Sequence, residues 1–89
     1  MKGEITMNEY KRTYFIGAAE TAASSAGRLF HDSPILAEMS IKLCYCYLLA
    51  ANGKIEEARA YLLNEHFYAK NIFEGVLEHA ERVVKSFDN

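Results

Sequence analysis

Three histidines, two cysteines, a pair of adjacent serines and a ridge of glutamates are the residues of this chain whose types suit chemistry. His31 lies in "FHDSP", at an expected helix boundary, where an imidazole caps a helix C-terminus more readily than it serves as a base. His66 and His79 are thirteen positions apart. On one continuous helix that spacing separates them by about 220°, so they would not share a face. Neither belongs to a Glu-x-x-His or His-Glu-x-x-His arrangement. Glu74, Glu78 and Glu81 form an acidic ridge that, without inward histidines, reads as a solvated face. Cys44 and Cys46 stand at i and i+2, about 200° apart on a helix, which forbids a shared ion or a mutual disulfide. They are expected to be reduced, largely inaccessible fillers of a core. Ser24 and Ser25 lack a G-x-S-x-G context, and no glycine-rich phosphate loop is present. No catalytic residue, metal site or cofactor is therefore assigned, and the chain is expected not to be an enzyme.

Composition narrows the class further. Eighty-nine residues make one expected domain, 1–89, with residues 1–6 a dispensable lead-in if Met7 is a second start. One proline, five glycines and a hydrophobic fraction of 51% leave little room for long loops, so low disorder is expected. Ten basic residues face twelve acidic ones, for a net charge of −2, and no basic run tracks phosphates. Nucleic-acid binding is not expected. The segment "MKGEITMNEYKR" has no apolar core of a signal peptide. The apolar run Leu43–Ala51 falls short of the ~20 residues of a membrane span and is preceded by Glu38 and Lys42. A cytoplasmic protein without membrane insertion is the expectation.

The elements that must position any site are all helical. Thr6 or Asn8 is suited to cap a first helix, with Glu9 completing a capping box after Thr6. Phe15, Ala18, Ala22, Ala26 and Leu29 repeat as one buried stripe. Between them "GAAETAASSAG", residues 17–27, consists almost entirely of small side chains, which let a neighbouring helix approach closely. In "HDSPIL", Asp32 or Ser33 caps and Pro34 takes the first helical position. The second helix runs from about Pro34 to Ala51 and stops at "NG", with Gly53 at the left-handed position. Glu56 and Glu57 open a third helix, as the helix dipole prefers. The stretch "NEHFYAKN", residues 64–71, is either a break or the middle of one long helix, and a break near His66 is favoured. From Ala69 a clean stripe follows: Ile72, Phe73, Val76, Leu77, Ala80, Val83, Val84 and Phe87. Glu78 with Arg82 and Glu81 with Lys85 form i, i+4 pairs opposite it. The fold class expected is all-α, a small antiparallel bundle of three to four helices.

Residues 42–62 resemble a tetratricopeptide (TPR) helix pair, whose pattern runs W-x2-L-G-x2-Y, a turn, then A-x3-F. Lys42, Tyr45, Cys46, Leu49, Ala58 and Leu62 take those positions, and "NGKIEEA" matches the turn. Cys46 and Ala58 supply the small residues where the two helices cross. Lys42 replaces the aromatic, Glu65 replaces a further small residue, and Lys70 stands where a terminal proline is usual. The order of parts is also similar to that of the small co-chaperones of type III secretion needle subunits: a helix rich in small residues, "FIGAAETAASSAG", then "LLAANGKIEEARAYL", then an amphipathic helix. That resemblance implies an apolar groove holding an aggregation-prone helical partner.

The helix holding "LCYCYLLAA" is apolar on every side, and few short helices surround it. Stacked helix pairs sandwich such a helix between neighbours. A leftover apolar surface marks a partner site. The expected function is a protein–protein interaction module, a small TPR-like chaperone in its specific form, working by helix-in-groove capture. Its expected anchors are Tyr45, Tyr47, Leu48, Tyr61, Phe67, Tyr68 and Phe73, of residue types that dominate interfaces. The expected partner is another helical protein or a second copy of the chain. A self-associating helical bundle is one alternative. A small metal- or ligand-binding bundle using His66, Glu74, Glu78 and His79 is another.

Overall fold

The computed structural model describes the backbone of residues 2–88 and the side chains of residues 9–66 and 68–86. It consists of four helices, α1 (Lys2–Leu29), α2 (Pro34–Ala51), α3 (Ile55–Glu65) and α4 (Phe67–Asp88), with no strand among the described residues. α1 has 28 residues, a length of about 42 Å at 1.5 Å per residue, and so sets the 46 Å long axis of the molecule. α1 begins at Lys2, so Thr6 and Asn8 lie inside the helix and do not cap it as expected.

The boundaries further along have local causes. Ser33 is the N-cap of α2 by backbone alone, its side chain making no capping bond, and Pro34 occupies the first turn. There a missing N–H leaves no bond unmade. At the far end Gly53 has φ +80, the only positive φ among the described residues. The Gly53 N–H donates to the Ala50 carbonyl at 3.0 Å and the Lys54 N–H to the Leu49 carbonyl at 2.8 Å. That pair of bonds is a Schellman closure, which needs a residue free to turn left-handed. His66 breaks the chain between α3 and α4 with an extended backbone, φ −162 and ψ 97. Its Nδ1 accepts the Ala69 N–H at 3.4 Å, so the imidazole caps α4.

The four helices meet at a core in which the largest fully buried side chains, Phe15, Cys46, Leu62 and Phe73, come one from each helix, all 0% exposed. α1 buries Phe15, Ala19, Ala22 and Ala26. The stripe is thus turned slightly from the one expected, with Ala19 inside and Ala18 and Leu29 at its margin. α4 buries Ala69, Phe73, Leu77, Ala80 and Val84, while Ile72, Val76 and Val83 flank the stripe; Phe87 lies outside the described side chains. α1 and α2 share the most extensive helix–helix contact. Small side chains on α1 allow it, because alanines bring the two backbones close.

Ion pairs fasten the helices at their rims. Lys11 of α1 meets Glu81 of α4 at 2.8 Å. Arg59 of α3 grips Glu74 of α4 with two bonds, Nε at 2.7 Å and Nη2 at 3.0 Å, the bidentate geometry that arginine favours. The Arg59 contact is the main reason the Glu74 carboxyl is held below its ordinary value. Hydrogen bonding to Lys11 does the same for Glu81, which therefore pairs between helices as well as lying near Lys85.

Candidate interaction surface

α2 is the element around which a binding surface is built. Its buried side, including Met39, Leu43, Cys46, Tyr47 and Ala50, faces the other three helices. The opposite side is apolar as well. Ile41, Tyr45 and Leu48, spaced i, i+4 and i+7, form one ridge and are 59, 50 and 44% exposed. A polar residue would ordinarily occupy such a ridge on a surface helix. α2 has 18 residues with a mean hydropathy of 1.3, which on length and composition alone suffices for a membrane crossing. Its core-facing side, and the Glu38–Lys42 pair at 3.1 Å within it, suit a helix packed in a globular bundle.

α1 continues the surface beside this ridge. Ile16, Ala23, Gly27 and Phe30 follow one another at i, i+7, i+11 and i+14 on the face next to α2. Ile16 is 37% and Phe30 64% exposed. Between the helices runs an open apolar groove of about 560 Å³, walled by Ala23, Ala26, Gly27 and Phe30 on α1 and by Ala37, Ile41 and Cys44 on α2. The small-residue stretch of α1 is what makes it a groove. Large side chains there would have filled it.

The expected anchor residues divide between this surface and the interior. Tyr45 and Leu48 lie on the exposed ridge, and Tyr61 supports Tyr45 from α3 in an edge-on contact, ring centroids 5.2 Å apart. Tyr47 and Phe73 do not reach the surface: they are 4% and 0% exposed and stack on each other in the core at 5.7 Å. Burial pushes the Tyr47 hydroxyl up to about 12. Tyr68 is 62% exposed on α4 and does not line the groove, and Phe67 lies outside the described side chains. Sequence reasoning missed Ile16, Phe30 and Ile41. Ile41 carried a signal, its i, i+4, i+7 relation to Tyr45 and Leu48.

The cysteines differ from the expectation of two inaccessible thiols. Cys46 is fully buried with its Sγ 3.7 Å from the Ala58 carbonyl oxygen, and burial raises its thiol to about 11. Cys44 is half-buried at the wall of the groove. Of the residues considered for a metal or ligand site, Glu78 is exposed and the other three are separately engaged. Glu74 is held by Arg59, the His66 Nδ1 by the Ala69 N–H, and His79 packs against the Tyr14 ring at 5.8 Å. Among the described residues, no three His, Cys, Asp or Glu side chains come together as a ligand set.

The α2–α3 pair is closely packed where it resembles the TPR pattern. Cys46 and Ala58 are both 0% exposed at the crossing. Two departures from the pattern meet in space: Lys42 Nζ lies 3.3 Å from Glu65 Oε1, so the lysine and glutamate form one ion pair across the two helices. Comparison of the chain with family models, with curated proteins and with solved structures returns no match.

Proposed function

We propose that this chain is a helical protein-binding module whose outer α1/α2 surface receives the apolar face of a helix. One observation carries the reading: the ridge Ile41, Tyr45 and Leu48 stands 44 to 59% exposed beside an apolar groove. Monomeric proteins seldom leave so continuous an apolar surface uncovered, because each square ångström kept from water stabilises by roughly 25 cal/mol. The small residues Cys46 and Ala58 at the α2–α3 crossing favour a TPR-like scaffold, from which Lys42 and Glu65 depart. A small cytoplasmic chaperone that shields an aggregation-prone helical protein, such as a secretion needle subunit, is the specific form proposed.

Site-specific photo-crosslinking in cells tests the reading. A crosslinking amino acid at position 48, on the ridge, should trap a helical protein. The same group at position 57, exposed on α3, should not. Equal trapping at both positions, or none at 48, overturns it.

A further inference from the structure

We infer that the occupant of the α1/α2 surface is a second copy of this chain, docked about a twofold axis parallel to the two helices. The inference rests on the reading of this surface as a binding surface and names its partner.

Area is the first argument. Ile16, Phe30, Ile41, Tyr45 and Leu48 are between 37 and 64% exposed. With the exposed Ala23 and Gly27 they present about 600 Å² of mainly apolar surface, at roughly 200 Å² for a large side chain. Homodimer interfaces are about two-thirds apolar, and a standard interface buries roughly 800 Å² per partner. The strip therefore matches the apolar core of such an interface.

Shape is the second argument. Bulk meets smallness along the middle of the strip: α2 offers Ile41, Tyr45 and Leu48, whereas α1 offers Ala23, Ala26 and Gly27 between the larger Ile16 and Phe30. The two helices run antiparallel, since Lys11 and Arg12 lie beside Ala51 and Gly53 at one end and Phe30 beside Ala37 at the other. A twofold parallel to them places α2 of one copy over α1 of the other. Ile41 then sits over Ala23 and Gly27 of its partner, and the symmetry makes the same contact twice. Gly27 has nothing within 4 Å of where a Cβ would stand, so intramolecular packing does not require a small residue there. The net charge of −2 opposes pairing only weakly.

The test combines mass with the accessibility of Cys44, the half-buried thiol at the groove wall. Cys46 is fully buried and will not react in the native chain. Light scattering on the full chain should show the mass doubling as concentration rises, with Cys44 alkylation slowing in proportion to the paired fraction. Ile41→Glu on the ridge and Ala23→Glu in the groove should each restore the monomer mass and fast alkylation while helicity is retained. Tyr68→Glu on α4 should change neither readout. A dimer whose Cys44 stays reactive, or one indifferent to both strip variants, overturns the inference. So does a monomer at every concentration. In that case a synthetic amphipathic helical peptide, with a Leu/Ala face and an uncharged polar face, is added to the monomer. Protection of Cys44 by the peptide rejects the second copy and keeps the binding surface. No protection rejects both.

Discussion

Two adjacent residues of α2 should respond in opposite ways to the same substitution. Tyr47 is 4% exposed and stacked on Phe73, whereas Leu48 is 44% exposed on the outer ridge. Replacing Tyr47 by Glu removes the burial of about 200 Å² of aromatic surface, about 5 kcal/mol at 25 cal/mol per Å². Placing a carboxylate among Phe15, Cys46 and Phe73 adds a further cost of several kcal/mol unless the chain opens to hydrate it. A chain of this length has a total stability of roughly 5–13 kcal/mol, so Tyr47→Glu should abolish the cooperative melt. Leu48→Glu is a different case. A half-covered leucine contributes about 1 kcal/mol, and the glutamate methylenes cover part of the same surface while the charge stays in water. The variant should remain folded, with a melting temperature lowered by at most about 8 °C, and it should lose partner binding. Circular dichroism melts and light scattering on the two variants decide the matter. If Leu48→Glu unfolds while Tyr47→Glu melts near wild type, α2 is rotated about its axis relative to the arrangement described here, and the proposed surface is the core.

Gly53→Val should be more damaging than Gly75→Val: Gly53 holds φ +80, where a β-branched residue is strained, and Gly75 sits exposed in a helix with open space around it. Gly75→Ala should raise the melting temperature, by the few degrees that about 0.5–1 kcal/mol of helix propensity provides. At alkaline pH, Tyr47 and Cys46 should together erode stability. Their folded values of about 12 and 11 lie above the starting values of 10.0 and 9.0, so the folded chain holds both protons more tightly than the unfolded one. Stability is then complete below about pH 9 and declines as pH rises through 12. Tyr47→Phe should remove the tyrosine's share of that decline and the latest step of the phenolate absorbance titration; an unchanged titration would mean that Tyr47 is solvated.

Helix boundaries were legible because their causes are local. Pro34 forbids a preceding helical turn, Gly53 permits a left-handed residue, and both act within a few positions of chain. The break at His66 was harder, since no glycine or proline marks it. It is held by the extended His66 backbone and by the imidazole bond to Ala69, neither of which leaves a pattern in composition. The start of α1 was misplaced because Thr6 and Asn8 favour caps intrinsically, a weak preference that the helix continuing back to Lys2 overrides. The ion pairs between helices were equally hidden. Glu81 has Lys85 at i+4, which local reasoning finds, but its bonded partner Lys11 is 70 positions away.

The binding surface was half legible, and the reason lies in α2 itself. A helix with one polar face reveals its orientation, because the polar residues must reach water. α4 is such a helix, and its stripe was read nearly residue by residue. α2 has apolar residues all round, so the sequence establishes that more surface is apolar than one core needs without indicating which side is left over. That phase is set by α1, whose Phe15, Ala19, Ala22 and Ala26 dock on one flank of α2, and by Phe73 reaching Tyr47 from α4. With those contacts in place Tyr47 turns inward and Ile41, Tyr45 and Leu48 have nowhere to go but out. The same contacts separate the two cysteines, sealing Cys46 against Ala58 and leaving Cys44 beside the groove. The outer ridge Ile41, Tyr45 and Leu48, beside the alanines and glycine of α1, is what the proposed interface is built on.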